Sequence, residues 1–223
     1  MKIVGCLLAL LCLSFGAPLS AAEPSEAATF VHKNCAKCHG TNGISQSSLF
    51  PRLAAQPAAY IESQLRDMRE HLRSDPHAQA YMWRIAAGLN DEEIKMVSGY
   101  YASRKPAARR SPVSLELAEK GKRLYEKGAI VRDVPACMGC HGDNGQGKDL
   151  VPRLAGQHAG YLFRQIKDFK TEVRPITGPK DPMHENALNV TDEEAIEIAE
   201  YLSALGPAAA GGDRGELSCG CPQ

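Results

Sequence analysis

Two short cysteine motifs carry the most reactive side chains in this sequence. Cys35-Ala-Lys-Cys38-His39 lies near the amino terminus, and Cys137-Met-Gly-Cys140-His141 follows 102 residues later. Because the two cysteines of each motif are about one helical turn apart, their thiols can add to the two vinyl groups of a single porphyrin. The adjacent histidine can then reach the iron, and this combination is the attachment signature of c-type haem. The sequence therefore predicts two covalently attached haem groups, with His39 and His141 as iron ligands.

Three other uses of paired cysteines fit the sequence less well. Two Cys-x-x-Cys pairs that share a zinc ion are usually about 15–20 residues apart, whereas these pairs belong to distant segments. A thioredoxin-like redox pair requires a strand followed by a helix, and no segment shows sustained alternation of apolar and polar residues. Simple disulfides would not require a histidine after both motifs. We therefore expect haem attachment.

The two motifs belong to an internal duplication. Asn42-Gly43 recurs as Asn144-Gly145 at the same offset of 102, and Pro51-Arg52-Leu53-Ala54 recurs as Pro152-Arg153-Leu154-Ala155 at an offset of 101. Further matches at the second offset pair Gln56, Tyr60, Gln64, Asp67 and Tyr100 with Gln157, Tyr161, Gln165, Asp168 and Tyr201. Because one register persists over so many identities, we interpret the chain as two tandem copies of one domain.

The second axial ligand decides whether each iron is closed to substrate. Of the methionines beyond residue 22, only Met82 and Met183 are matched between the copies at the offset of 101. Both are expected in a loop that precedes the last helix of their copy. We predict that their thioethers are the sixth ligands, with core packing as the alternative role. His77 is a candidate substitute in the first copy, because Tyr81 precedes Met82 where Pro182 precedes Met183.

Two arginines are candidates for contacts with the haem propionates. Arg52 and Arg153 each follow a proline between the cysteine motif and the next helix. A buried carboxylate requires a charged or hydrogen-bonding partner, which a guanidinium provides. An ordinary surface position is the alternative for both arginines. Tyr60 and Tyr161 fit contact with haem and packing on a helix face equally well.

Composition divides the chain into five parts. Residues 1–22 combine Lys2, an apolar run and small residues, as a cleaved export signal does, which predicts a periplasmic protein. We place the first domain at 23–104 and a linker rich in proline and charge at 105–113. The second domain follows at 114–206, and a cysteine-containing tail, expected to be flexible, at 207–223.

Periodicity predicts an all-α fold. Apolar residues recur at helical spacing over about 57–73 and 158–171. Asn90-x-x-Glu93 and Thr191-x-x-Glu194 are capping boxes that open the last helix of each copy. Helices are also expected before the cysteine motifs, at about 24–37 and 114–128. The expected architecture is two small tandem helical domains, each folded around one haem.

The charge distribution argues against binding to nucleic acid. The chain has 26 basic and 26 acidic residues and no basic stripe that could follow a phosphate backbone. Residues 23–110 contain 12 basic and 9 acidic residues, a net charge of +3, and residues 111–223 contain 13 and 17, a net charge of −4. This asymmetry can steer the two ends toward unlike partners, or it can hold the domains together.

These features resemble the cytochrome c4 family of di-haem class I cytochromes c. The resemblance covers about residues 24–205 and rests on the doubled cysteine motif, the repeated Pro-Arg-Leu and the methionine before an Asp-Glu-Glu helix. It implies two cytochrome folds packed face to face, with His39 and Met82 on one iron and His141 and Met183 on the other. It also implies a periplasmic electron carrier, not an enzyme, between a donor such as a quinol–cytochrome c reductase and a terminal oxidase. Peripheral association with the membrane is compatible with this role.

Two other functions stay open. The same two-haem unit serves as the cytochrome subunit of oxidoreductases such as flavocytochrome sulfide dehydrogenases, where catalysis belongs to a partner chain. A di-haem enzyme with one open iron, of a peroxidase-like or thiosulfate-oxidising kind, is disfavoured because both Met82 and Met183 are matched. Cys219 and Cys221 have no place in the resemblance. They could link two chains, bind a metal or have no particular role.

Overall fold

The computed structural model describes residues 25–108, 114–174 and 182–207. The expected export signal, residues 109–113 of the linker, and residues 208–223 of the tail with Cys219 and Cys221 lie outside the described residues. Within the described ranges the regular structure is helical apart from two isolated β-bridges, so the predicted all-α fold is confirmed. No helix in these ranges is long and apolar enough to cross a membrane.

The first domain forms three longer helices and several short ones between them. In chain order these are α1 (Glu26–Asn34), α2 (Ala36–His39), α3 (Ala58–Arg69), a π-helical turn (Ala78–Met82), α4 (Trp83–Ala87) and α5 (Asp91–Ala102). The helix predicted over about 57–73 ends earlier, at Arg69, because His71 adopts a left-handed backbone with φ of 60°. Asn90 caps α5 with the predicted capping box.

The second domain repeats this order. Its elements are α6 (Leu115–Lys127), a 3-10 turn (Ile130–Arg132), α7 (Met138–His141), α8 (Ala159–Lys170), α9 (Pro182–Ala187) and α10 (Asp192–Ala204). Thr191 opens α10 with the second predicted capping box. The 3-10 turn belongs to a segment between α6 and the cysteine motif that has no equivalent in the first domain, where α1 leads directly to Cys35.

Each domain has its own apolar core. In the first domain it is made by α1, α3 and α5, with Val31, Ile61, Leu65, Ile94, Val97, Tyr100 and Tyr101 buried. In the second it is made by α6, α8 and α10, with Tyr125, Val134, Leu162, Val190, Ala195, Ile198, Ala199 and Leu202 buried. The crossing of α6 and α10 is so close that a Cβ at Gly121 would lie 1.9 Å from the carbonyl oxygen of Glu197.

Candidate haem sites and the domain interface

Each cysteine motif forms a single helical turn. The carbonyl oxygen of Cys35 accepts hydrogen bonds from the backbone N–H groups of Cys38 and His39, at 3.2 and 3.1 Å. The second motif repeats these bonds at 3.3 and 3.0 Å. The two cysteines of each pair are therefore one turn apart on the same short helix, as attachment to both vinyl groups of one haem requires.

Burial is the main influence on the first cysteine of each motif, where it raises the pKa of the Cys35 and Cys137 thiols to about 11. Cys35, Cys38 and Cys137 are half-buried, and Cys140 is exposed. In the described part of the chain no group of three or more His, Cys, Asp or Glu side chains could hold a metal ion, so a zinc site finds no support there.

The two motif histidines are held in one tautomer. Nδ1 of His39 lies 2.9 Å from the carbonyl oxygen of Pro51, and Nδ1 of His141 lies 3.1 Å from that of Pro152. A carbonyl can only accept, so Nδ1 carries the proton and Nε2 keeps a free lone pair. Both rings are buried, with 7% and 6% of their surface exposed, and burial lowers the pKa of each. The structure therefore presents two neutral imidazoles with the nitrogen that metal ligation needs.

The two matched methionines lie on short helices, not in the loops expected from the sequence. Met82 ends the π-helical turn and Met183 is in the first turn of α9, and both are half-buried. In the first domain the helical segment starts where it does because a carboxylate oxygen of Asp75 accepts from the backbone N–H of Ala78, at 3.1 Å. Met82 also packs against the apolar core of its domain, as expected if its role is core packing.

The residue after each methionine anchors these helices in the same way. Trp83 Nε1 donates to the carbonyl oxygen of Arg73 at 2.8 Å, and its indole stacks on His71 with ring centroids 4.0 Å apart. At the matching position, His184 Nδ1 donates to the carbonyl oxygen of Phe169 at 2.9 Å. Both methionines are thus positioned by a side-chain bond to the end of the preceding long helix, at Phe169 in the last turn of α8, or to the segment after it, at Arg73 beyond α3. His77 immediately precedes the π-helical turn, five residues before Met82.

Arg52 and Arg153 lie at the interface between the two domains. The side-chain amide of Gln157 forms hydrogen bonds with both backbone groups of Arg52. It accepts from the N–H at 2.8 Å and donates to the carbonyl at 3.0 Å. In the same way, the amide of Gln56 accepts from the N–H of Arg153 at 2.9 Å and donates to its carbonyl at 2.7 Å. The guanidinium of Arg52 donates to the carbonyl of Gly156 across the interface. Both arginines are therefore buried, and the surface alternative is wrong.

A second pair of arginines at the interface escaped the sequence analysis. Arg73 and Arg174, 7% and 4% exposed, both donate to the side-chain oxygens of Gln64 and Gln165. Arg174 also donates to the hydroxyl of Tyr60 at 2.7 Å. The matched offset of 101 residues was a signal that could have found this pair.

The two matched tyrosines, Tyr60 and Tyr161, both form hydrogen bonds across the interface. Their hydroxyls accept from the arginine of the opposite domain, Tyr60 from Arg174 at 2.7 Å and Tyr161 from Arg73 at 3.4 Å. Arg73 in addition forms a buried ion pair with Asp75, at 2.8 Å. Every residue of this network except Asp75 has its counterpart in the other repeat.

The sequence and the fold both have known counterparts. A family model described as cytochrome c matches residues 25–105 and 118–206. Cytochrome c-552 from Acidithiobacillus ferridurans is 36% identical over 176 residues, which are 78% of this chain and 75% of that protein. A thiosulfate dehydrogenase electron acceptor from Thiomonas intermedia (strain K12) is 34% identical over 196 residues, 86% of either chain. The solved structure of cytochrome c4 from Acidithiobacillus ferrooxidans superposes with a TM-score of 0.71 at 36% identity, covering 77% of this chain and 99% of that one.

Proposed function

The chain belongs to the cytochrome c family, as two tandem domains that each bind one covalently attached haem c, and from this premise we propose that it is a periplasmic electron carrier. The observation that carries the proposal is the histidine geometry, present in both domains. In each, a buried neutral imidazole directly after a Cys-x-x-Cys turn bonds through Nδ1 to a proline carbonyl. A bound haem supplies a one-electron ferrous–ferric couple, and the protein need only hold it in one geometry.

The proposed covalent attachment uses Cys35 and Cys38 in the first domain and Cys137 and Cys140 in the second. His39 and His141 are the proximal ligands, because the bond from Nδ1 fixes the ring orientation and leaves Nε2 for the iron. Such a bond to the second nitrogen also raises the basicity of the ligand.

Met82 and Met183 are the proposed distal ligands. Each is half-buried on a short helix that the following side chain, Trp83 or His184, ties to the rest of the domain. Their thioethers would close the iron to substrate and would favour the ferrous state, as a carrier requires. Two closed sites of the same kind favour transfer of electrons over catalysis.

The proposed partners are other redox proteins of the same compartment. A quinol–cytochrome c reductase would be the donor and a terminal oxidase the acceptor. The opposite net charges of the two halves, +3 and −4, would orient the molecule between partners of unlike charge. A reaction rate with the acceptor that does not depend on ionic strength would refute this steering.

Haem content and the near-infrared spectrum of the ferric protein test the proposal. We expect two haems per chain in the pyridine haemochrome assay and a weak charge-transfer band, characteristic of methionine sulfur on ferric haem, at full strength for both. Met82→Leu and Met183→Leu should each remove half of that band without loss of haem. Met96→Leu is the matched control, since Met96 has Glu197 as its counterpart and should leave the band unchanged. One haem per chain, or a band that survives both ligand substitutions, contradicts the proposal.

A second role is favoured by one specific relative. The protein from Thiomonas intermedia that matches 86% of this chain is a thiosulfate dehydrogenase electron acceptor. We propose as the alternative that this chain accepts electrons from such a dehydrogenase, as a separate protein or as its cytochrome subunit. Rapid reduction of the purified ferric chain by thiosulfate plus dehydrogenase, but not by thiosulfate alone, would support the alternative. Turnover of thiosulfate by the isolated chain would instead support the di-haem enzyme.

A further inference from the structure

One loop of the first domain is held by side chains of the second domain. The loop spans residues 44–50 after the first cysteine motif, and Ser45 within it is only 1% exposed. Nε2 of His158 lies 2.9 Å from Oγ of Ser45 and 3.0 Å from its carbonyl oxygen. The carbonyl can only accept, so Nε2 of His158 carries the proton and donates to Ser45. Further along the loop, the guanidinium of Arg164 donates to the carbonyl of Ser48.

The end of this loop contacts His39. The hydroxyl of Ser45 donates to the carbonyl oxygen of Phe50 at 2.7 Å. The next carbonyl along the chain, that of Pro51, is the one that bonds Nδ1 of His39. The ring of Phe50 also stands edge-on to the imidazole, with ring centroids 6.1 Å apart. Two adjacent residues at the end of the loop therefore fix the imidazole, and a shift of the loop displaces both contacts.

The matching loop of the second domain is closed by its own backbone. Two backbone hydrogen bonds between Lys148 and Val151, at 3.0 and 2.8 Å, close it. Gly147 packs so tightly in this loop that a Cβ would lie 2.4 Å from the carbonyl carbon of Pro152. The carbonyl of Pro152, which bonds Nδ1 of His141, is therefore held from within its own domain.

The matching positions of the first domain do not return the contact. The counterparts of His158 and Arg164 at the offset of 101 are Pro57 and Ser63. Proline has no side-chain donor, and the hydroxyl of Ser63 donates to Asp67 in its own helix, at 3.5 Å. The support of the loop thus runs in one direction, from the second domain to the first, unlike the reciprocal glutamine bonds at the same interface.

We propose that His158 and Arg164 of the second domain position the proximal ligand of the first haem. The inference rests on the proposed function, because it takes His39 as that ligand. His158 acts through the hydroxyl of Ser45 on the end of the loop, where the carbonyl of Pro51 keeps Nδ1 of His39 bonded. This bond makes the imidazole a more basic ligand, which favours ferric iron. Contact with the second domain therefore lowers the ferrous-to-ferric ratio of the first haem and has no equivalent effect on the second.

The test compares the isotope-labelled, haem-loaded full chain with variants of His158. His158→Leu removes the donor, whereas His158→Gln keeps an N–H donor at a similar reach. His32→Leu is the matched control, since it makes the same chemical change at an exposed position of the first domain. In the diamagnetic ferrous protein, the ring N–H groups of His39 and His141 are assigned through the chain by nuclear magnetic resonance, and their exchange with solvent is measured. Each haem is identified by its contacts with its own histidine, and its ferrous-to-ferric ratio is measured at one ambient potential.

The same spectra separate the inference from the function on which it rests. A proton on Nε2 of His39 would show that this nitrogen is not bound to iron, which contradicts the proposed function. The exchange rate of the Nδ1 proton of His39 would still test whether His158 holds the loop.

We expect His158→Leu to speed exchange at His39 and to raise the ferrous-to-ferric ratio of the first haem, each about threefold or more, as for the loss of an ordinary hydrogen bond. His141 and the second haem should keep their wild-type values, and His158→Gln should restore both values of the first haem.

Three results would overturn the inference. His158→Leu could equal His32→Leu in both measurements, or both haems could change alike, which would indicate a general loosening of the interface. His158→Gln could also behave as His158→Leu does, which would show that packing and not the donated hydrogen bond is responsible. If His158→Leu does not fold, Ser45→Ala, which removes the hydroxyl between His158 and the end of the loop, must show the same change at the first haem alone.

Discussion

Replacing Gln56 and Gln157 by leucine should separate the two domains without unfolding either. These side chains are 6% and 4% exposed, and their amides bond the backbone of Arg153 and Arg52 in the opposite domain, at 2.7–3.0 Å. Gln157 also accepts from the N–H of His158 in its own domain, at 3.1 Å. Neither belongs to the apolar core of its own domain. The double substitution therefore removes four hydrogen bonds across the interface and leaves both domain cores intact.

The magnitude follows from the groups left behind. Gln56→Leu alone leaves the buried N–H and C=O of Arg153 without partners, at about 1–3 kcal/mol for each group, or about 2–6 kcal/mol in total. Because about 1.4 kcal/mol is a tenfold change in an equilibrium constant, even the lower end reduces the docked-to-undocked ratio by about 30-fold. The double variant should lose close to twice this free energy of domain docking. The loss is smaller where water enters the interface and hydrogen-bonds the backbone groups of Arg52 and Arg153.

The distance between the two ferric haems, measured by pulsed electron paramagnetic resonance, reports domain separation directly. We expect one narrow distance distribution in the wild type and a broad, longer one in the double variant, with slower electron transfer between the haems. Gln46→Leu is the control, because Gln46 is exposed and makes one long bond, of 3.4 Å, within its own loop. A double variant with the same narrow distribution and the same transfer rate as the wild type would refute the reasoning.

Two further predictions concern stability. Gly121→Ala should destabilise the second domain by about 1–3 kcal/mol or more, because its Cβ would lie 1.9 Å from the backbone oxygen of Glu197. Gly99→Ala, with nothing within 4 Å, should instead stabilise the first domain by about 0.5–1 kcal/mol in chemical unfolding. Burial alone would raise the pKa of Asp75, but the charge and the hydrogen bond of Arg73 outweigh burial and lower this pKa below its ordinary value. The ion pair therefore stabilises the fold above the unfolded pKa of about 3.9 and loses this effect as the pH falls below it. Melting temperatures should accordingly depend less on pH from 5 to 2 in Asp75→Asn, and an unchanged pH dependence would show that this pair does not contribute.

Local patterns were sufficient to predict most of the helices. The capping boxes at Asn90 and Thr191 give the starts of α5 and α10 because a side-chain oxygen and a carboxylate satisfy backbone N–H groups within four residues. The resemblance to cytochrome c4 is likewise confirmed, by a solved structure with a TM-score of 0.71. The short helices that carry Met82 and Met183 were missed. Five or six residues are too few for a periodic signal, and their stability comes from distant contacts such as that between Trp83 and the carbonyl of Arg73.

The environment of the arginines could not be predicted from their own segments. Arg52 was expected to contact a haem propionate, with a surface position as the alternative, and it is buried at the interface, where Gln157 of the other domain bonds its backbone. Burial of this kind depends on how two domains pack, and no pattern within one repeat encodes it. The axial roles of Met82 and Met183 stay predictions.

The interface has the reciprocal pattern of a twofold contact, in which residue i meets residue j and j meets i. Gln56 binds the backbone of Arg153 while Gln157 binds that of Arg52, and Arg73 and Arg174 share the two matched glutamines. A surface that is complementary to itself must keep the same residues in both copies, which gives a physical reason why these polar positions match although none builds a domain core. The same pattern holds the two candidate haem sites in one fixed relation. A single relative orientation is what electron transfer between them requires, because a domain that moves must first return to its docked position before each transfer.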